Sequence, residues 1–322
     1  MKTVQENYCD EYARRINRVL DHIEVHLGEE LRLEDLAAVA CFSPFHFHRL
    51  FKAFCGETIG EHLRRRRLER AARQLICERA KPVTAIALDC GFSSSQNFAK
   101  AFRLHFGLSP SEVRRRHDWR DPHFHQNSKP GNTRRKLGKD LLELAGYPEA
   151  TDDEFIRIDC SGGDDMQVRI IEMEPLRVAY FRGIGTYSPA TIGPLFQKLM
   201  AWAGPRGICG PASQIMGVCW DDPGITPELR CRYDACITVA PDFKDDGRAS
   251  VQVLPCGRYA VRHCEFVGQG FELAWEELMT SWLPTSGYQL DDRPNLEFYY
   301  NDGNRDPERR WIMDIWLPVK PL

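Results

Sequence analysis

Ile86-Ala87-Leu88-Asp89-Cys90-Gly91-Phe92-Ser93-Ser94-Ser95-Gln96-Asn97-Phe98 contains a helix end, a tight turn and a helix start in one short span. Val83 to Cys90 reads as a short helix, and Gly91-Phe92 turns the chain. Ser93 to Ser95 supply N-cap chemistry for a second helix, Gln96 to Phe106, which Gly107 stops. Two helices joined by so short a turn form a helix-turn-helix.

The same pattern stands upstream. Leu33 to Ala40 is a short helix and Cys41-Phe42 the turn. Ser43-Pro44 then opens a helix through Phe54, with serine at the N-cap and proline at the first helical position. Ala40-Cys41-Phe42-Ser43 matches Cys90-Gly91-Phe92-Ser93, and Phe47, Phe51 and Phe54 match Phe98, Phe102 and Phe106. The result is an internal repeat of about 50 residues. In the upstream copy Phe47, Leu50, Phe51 and Phe54 make the apolar face, leaving Phe45, His48, Arg49 and Lys52 to point elsewhere. A long helix from Ile59 to Arg79, carrying Arg64 to Arg67, links the copies. A further amphipathic helix, residues 8–27, precedes them, with Ile16, Val19, Leu20, Ile23 and Leu27 at helical spacing and Gly28 at its end. Two recognition helices held about 34 Å apart can read successive major grooves of one duplex. The arginine run suits phosphates or a solvated helix face equally well.

Charge agrees with this division. Residues 1–140 carry 26 Lys+Arg against 18 Asp+Glu, a balance of +8, and the remaining residues carry 17 against 28, or −11. A basic front half suits an anionic partner, and an acidic back half has a different task. Hydrophobic content of 43% is enough for packed cores and excludes a disordered chain. The polar start lacks the pattern of a secretory signal, and no apolar run reaches the ~20 residues of a membrane span. A soluble, cytoplasmic protein with no membrane contact is expected. The twelve cysteines include no C-x-x-C and read as reduced thiols, most of them within apolar patterns, as at Cys41, Cys55, Cys77 and Cys90. His46 and His48 are two apart on a helix and diverge, and His123 and His125 have no partner cluster, so no metal and no cofactor are expected.

Residues 8–117 resemble the AraC/XylS family of bacterial transcription regulators. The likeness rests on Ile86 to Phe98 and on Phe102 through Phe106-Gly107-Leu108-Ser109-Pro110-Ser111-Glu112-Val113-Arg114. The resemblance implies base contacts from Phe45, His48 and Arg49 in the first recognition helix and from Ser95, Gln96, Asn97 and Lys100 in the second. Arginine suits guanine, Gln or Asn suits adenine, and an aromatic suits a thymine methyl. Double-stranded DNA is therefore the expected partner, and RNA polymerase a possible second one.

From Trp119 to Asp165 the chain turns polar and irregular, as in Lys129-Pro130-Gly131-Asn132 and Ser161-Gly162-Gly163-Asp164-Asp165. This predicts an all-α unit over 1–118, a linker over 119–165 with a short helix at Lys136 to Ala145, and a second domain over 166–322. Arg134-Arg135-Lys136 could add phosphate contacts from the linker. Alternating stretches in the second domain fall at Val168–Met173, Arg177–Gly183, Gln214–Trp220 and Arg232–Ala240, with a helix at Ile192–Ala203. The order then recurs: Val251–Leu254, Gly257–Glu265, a helix at Phe271–Trp282, Leu296–Tyr300 and Trp311–Leu317. Trp220-Asp221-Asp222-Pro223 corresponds to Tyr300-Asn301-Asp302-Gly303. The expected fold is multidomain: an all-α double helix-turn-helix, then an α+β domain of two β-β-α-β-β repeats. Its helices lie on one side, which leaves the other sheet face and the groove between copies for a ligand.

This half resembles GyrI-like small-molecule-binding domains through Trp275-Glu276-Glu277-Leu278, Ser286-Gly287-Tyr288, Pro294 to Asn301 and Ile315-Trp316-Leu317-Pro318-Val319. The resemblance implies a pocket carboxylate at Glu297 that pairs with cationic ligands. Glu297 sits between Leu296 and Phe298 in a strand, where an ionised carboxylate is costly unless paired, and Tyr299 shares its face. Tyr187, Trp220, Trp275 and Trp311 are candidate aromatic walls, with ordinary core as the other reading. Glu297 could instead pair structurally with Arg262. A regulator answering to a small, cationic or aromatic effector is the leading function. Two alternatives remain: a hydrolase with Glu297 as general base beside Tyr299, and a domain docking on a topoisomerase or polymerase. No nucleophile is clearly placed, so no catalytic residue is assigned.

Overall fold

The computed structural model describes residues 4–116, 167–244, 247–268 and 270–322. The expected linker, with its short helix, its Arg134-Arg135-Lys136 run and His123 and His125, lies outside the described residues.

Among the described residues the front unit has the helices α1 (Val4–Val25), α2 (Leu33–Val39), α3 (Pro44–Cys55), α4 (Ile59–Cys77), α5 (Val83–Asp89), α6 (Ser95–Phe106) and α7 (Pro110–Arg116). The apolar stripe of α1, Ile16 to Ile23, is buried in one core with Leu27, Leu36, Phe47 and Phe51. Leu68, Leu75, Ile86, Phe98 and Phe102 form the second core. Full burial of each such side chain contributes about 1.5–3 kcal/mol. The caps repeat as well. Ser43 Oγ accepts the His46 N–H and Ser94 Oγ accepts the Asn97 N–H, while Gly56 and Gly107 end their helices at φ 70° and 73°. At the turn, Gly91 adopts φ 78°, and its counterpart Cys41 takes φ 55°. A Cβ on Gly91 would lie 2.9 Å from Arg67 Cζ, so the second turn requires glycine whereas the first accommodates a side chain. Two expectations fail here. Phe54 is 43% exposed and lies off the apolar face, and Cys41 is exposed.

The second domain is one antiparallel sheet with helices on one side. Its elements are β1 (Val168–Met173), β2 (Leu176–Ile184), α8 (Pro189–Ala203), β3 (Ile215–Cys219), β4 (Arg232–Thr238), β5 (Ser250–Leu254), β6 (Gly257–Val267), α9 (Phe271–Glu277), β7 (Tyr288–Leu290), β8 (Asn295–Tyr299) and β9 (Arg310–Pro321). After Glu277 the expected helix continues only as a π-turn and a 3-10 turn, and β7 is an addition that sequence reading missed. The strand order is β1-β6-β9-β8-β3-β4-β2-β5. It reads symmetrically about the β3–β8 seam, with each copy lending its first strand to the other. The matched turns coincide in detail. Asp222 Oδ1 accepts the Gly224 N–H at 2.7 Å, and Asp302 Oδ1 accepts the Asn304 N–H at 3.0 Å.

Alternation divides the sheet's side chains. Phe181, Gly217, Ala235, Glu297 and Ile315 face α8 and α9, because cross-strand partners share a face. Tyr180, Arg182, Val218, Asp234 and Leu296 face the other way. That second face was expected to stay free for a ligand. Instead, around Tyr180, Arg182 and Arg232, the front unit packs on it through α1 and α4. Arg182 joins Asp21 of α1 at 2.7 Å to Asp234 at 2.6 Å, and Tyr180 OH donates to Asp21. Arg66 of α4 donates to Glu24 at 2.9 Å and to Asp221 at 2.5 Å, while Arg232 bonds the same two carboxylates at 2.9 Å each. Arg70 with Asp292 and Lys320 with Glu78 extend the contact.

The arginine run is thereby reassigned. Arg65 is buried between Glu57 and Glu69, and Arg66 is fully buried in the interdomain cluster. Arg67 donates to the backbone carbonyls of Leu27, Glu29 and Gly91 and ties the two helix-turn-helix units together. Only Arg64 of the four is exposed. Neither phosphate binding nor a solvated face describes the other three, because a charged side chain buried here has carboxylates or carbonyls to satisfy it.

Candidate functional site

Glu297 is 6% exposed and sits at the β3–β8 seam beneath the helices. Its Oε2 accepts hydrogen bonds from Tyr299 OH at 2.7 Å and Tyr233 OH at 2.9 Å, and its Oε1 accepts from Trp275 Nε1 at 3.0 Å. Burial, reinforced by the Glu297 charge, holds both tyrosines well above their ordinary range, so they remain donors. Gly217 makes the arrangement possible. A Cβ there would fall 1.8 Å from Tyr233 Oη and 3.1 Å from Glu297 Oε2. Among the described residues no Lys, Arg or His makes an ion pair with Glu297. Arg262, the structural partner considered from sequence, donates to Glu277 at 2.6 Å and to the Ala274 carbonyl instead.

Half-buried aromatics surround the carboxylate. Phe196 of α8 meets Tyr299 edge-on at 5.3 Å, Trp311 meets Tyr299 at 5.9 Å, and Tyr187 meets Tyr233 at 5.9 Å. Five of the six residues expected from sequence are thus brought together: Glu297, Tyr299, Tyr187, Trp275 and Trp311. Trp220 is not. It lies on the opposite face, where its Nε1 donates to Asp234 at 2.7 Å and its ring receives Arg182 at 5.5 Å and Arg232 at 5.8 Å. Strand parity could have excluded it, since Trp220 alternates with Gly217 and Cys219. Tyr233, Phe196 and Gly217 were missed. Tyr233 was recoverable from the β3–β4 pairing, but nothing local marked Phe196.

On the front unit, His48 and Arg49 of α3 are exposed opposite the buried Phe47 and Phe51. Gln96, Asn97 and Lys100 of α6 are exposed and Ser95 half-buried, opposite Phe98 and Phe102. The Phe45 side chain lies outside the described residues. Asn97 Nδ2 reaches Ser93 Oγ at 3.4 Å. His46 Nδ1 lies 3.2 Å from the capping Ser43 Oγ, so its ring belongs to the helix start.

Among the described residues no group of three His, Cys, Asp or Glu could hold a metal, and no helix is long and apolar enough to cross a membrane. Burial pushes the Cys55, Cys77, Cys90 and Cys231 thiols up to about 12, which keeps them unreactive.

A family model described as a GyrI-like small molecule binding domain matches residues 166–320, and a helix-turn-helix domain model matches residues 36–116. The DNA gyrase inhibitor of Serratia proteamaculans is 35% identical over 160 residues, covering 48% of this chain and 99% of that protein. The chain belongs to the GyrI-like family. Its front unit is AraC-type. There it is 39% identical over 106 residues to the probable transcriptional regulator LumQ of Photobacterium leiognathi and 38% identical over 104 residues to the transcriptional regulator Rob of Salmonella typhimurium. Each match covers 32% of this chain, and they cover 42% and 36% of those regulators. With an AraC-type unit before a GyrI-like domain, the protein is a DNA-binding transcriptional regulator with a small-molecule-binding domain.

Proposed function

We propose that the GyrI-like domain senses a bulky, delocalised aromatic cation at Glu297, and that the AraC-type unit reads DNA through α3 and α6. One observation carries the ligand class: a buried carboxylate held by three neutral donors, ringed by aromatics, with no ion-pair partner among the described residues. Such a group is favourable for a cation that brings its own charge and stacks on rings. Base contacts come from Phe45, His48 and Arg49 on α3 and from Ser95, Gln96, Asn97 and Lys100 on α6. DNA binding fits a cytoplasmic regulator, with RNA polymerase as a second partner. A sensing rather than hydrolytic role is supported by the Glu297 oxygens, which already accept three hydrogen bonds, an arrangement unsuited to a general base.

Calorimetric titration of the full chain with tetraphenylphosphonium tests this. Wild type should bind, and Glu297→Gln should bind at least about tenfold more weakly, since a contact to a charged group contributes about 1.5–3 kcal/mol. Equal affinity for both would remove Glu297 from the site. Identity to a DNA gyrase inhibitor favours a second reading, in which this domain also docks on gyrase. Co-sedimentation with purified gyrase, with and without the cation, decides it.

A further inference from the structure

The interdomain contact contains a closed ring of two carboxylates and two guanidiniums. Asp221 accepts from Arg66 and Arg232, and Glu24 accepts from the same two arginines. Glu24 and Arg66 belong to α1 and α4 of the AraC-type unit, and Asp221 and Arg232 to the GyrI-like domain. Asp221 also touches the wall of the effector site. Tyr187 OH lies 3.0 Å from the Asp221 carbonyl and 2.9 Å from the Arg232 carbonyl, and it accepts the Asp221 N–H at 3.1 Å. The Tyr187 ring abuts Tyr233, whose hydroxyl holds Glu297. A short, packed path thus runs from Glu297 through Tyr233 and Tyr187 to Asp221, and across the ring to α1 and α4.

The internal repeat isolates what Asp221 adds. Its counterpart is Asn301, which braces the next strand by accepting the Ile312 N–H at 2.9 Å and donating to the Arg310 carbonyl. Asp221 does the same bracing job when it accepts the Arg232 N–H at 2.8 Å. Bracing therefore needs only an amide oxygen. The negative charge at 221 is surplus to it and is spent on the two arginines, one from each domain. Among the described residues the second copy has no such ring at Asn301.

We propose that Asp221 is the coupling residue through which occupancy at Glu297 changes the docking, and hence the DNA affinity, of the AraC-type unit. This rests on the effector reading of Glu297. An effector that engages Glu297 competes for the carboxylate that Tyr233 now holds. Any shift of Tyr233 reaches Tyr187, and with it the backbone on which the Asp221 carboxylate is mounted. A buried ring of charges has few intermediate arrangements, which makes it suited to switching.

Coupling is a free energy between sites and is read as one. Hydrogen exchange is followed on the full chain in α1 around Asp21 and Glu24 and in α4 around Arg66. Tyr187→Phe should speed exchange there at least about fivefold, since it removes both the hydrogen bond the hydroxyl donates and the one it accepts from Asp221 N–H, although Tyr187 touches neither helix. A change confined to residues 183–192 and 219–233 overturns the proposal. Adding tetraphenylphosphonium to wild type should alter exchange in both helices. Asp221→Asn should keep the cation's affinity within twofold and lose that response. If the cation binds and α1 and α4 do not respond, or if Asp221→Asn still responds, the coupling role fails. If the cation does not bind at all, the effector reading fails, and the Tyr187→Phe result alone decides whether the site wall and the AraC-type unit are linked. Should Asp221→Asn not fold, Glu24→Gln opens the same ring from the far side and carries the same two outcomes.

Discussion

Glu297 and Asp234 lie on opposite faces of the same sheet, both nearly closed to solvent, and their surroundings treat charge in opposite ways. Asp234 takes both arms of Arg182, the indole of Trp220 and the amide of Gln252. Glu297 has two phenols and an indole. The face with arginines is compensated within the chain and joins the two domains. The face with neutral donors holds a carboxylate with no ion-pair partner among the described residues, and the proposed effector site rests on that. A buried carboxylate is thus no sign of a ligand site by itself; the sign is its partners.

The strongest test of this contrast is Arg182→Met. It strands Asp21 and Asp234 without their cation and should cost about 3–5 kcal/mol in urea unfolding. A loss under about 1 kcal/mol would show that the interface does not depend on its charges. Trp220→Phe comes next. It removes a donor from Asp234 and should cost about 1.5–3 kcal/mol, while leaving tetraphenylphosphonium affinity unchanged. Weaker binding of the cation would return Trp220 to the effector site.

Acid should act on the interface face. Burial opposes ionisation of Glu57, which meets Arg230 across the interface at 3.0 Å, but His62 and Arg65 hold it down to about 2. Arg66 and Arg232 likewise hold Glu24 and Asp221 well below the usual carboxylate range against their burial. Depressed values mean that this stability is complete above the ordinary glutamate value of 4.5 and is lost as pH falls from there toward 2. Burial raises Asp21, whose contribution runs the other way and fades as pH rises. Urea melts from pH 6 to pH 3 should show falling stability, with a shallower slope in Glu57→Gln. An unchanged slope would remove that ion pair from the account. The smallest effect is expected at Glu297→Gln. Tyrosine hydroxyls accept as well as donate, so an amide fits the same cage, and stability should change by less than about 1 kcal/mol. A loss as large as that of Arg182→Met would place both faces in one class.

Much of this was legible in the chain itself. The paired serine caps, the stopping glycines and the phenylalanine spacing define both helix-turn-helix units, because these are local interactions within a few residues. Strand alternation put Glu297 and Tyr299 on one face for the same reason. What stayed illegible was long-range. Arg65 and Arg66 read as phosphate ligands or solvated side chains until α4 met Glu24, Glu57 and Asp221, which come from three other parts of the chain. Trp220 read as a pocket wall although its parity already set it opposite Gly217; only its partner, Asp234, needed the fold.

Sequence alone therefore determined both helix-turn-helix units, most strands of the sheet and the face that carries the key carboxylate, since periodicity and capping are properties of neighbouring residues. Tertiary structure alone decided which buried charges are already paired. That depends on which distant segments share a low-dielectric space, and no local pattern encodes it.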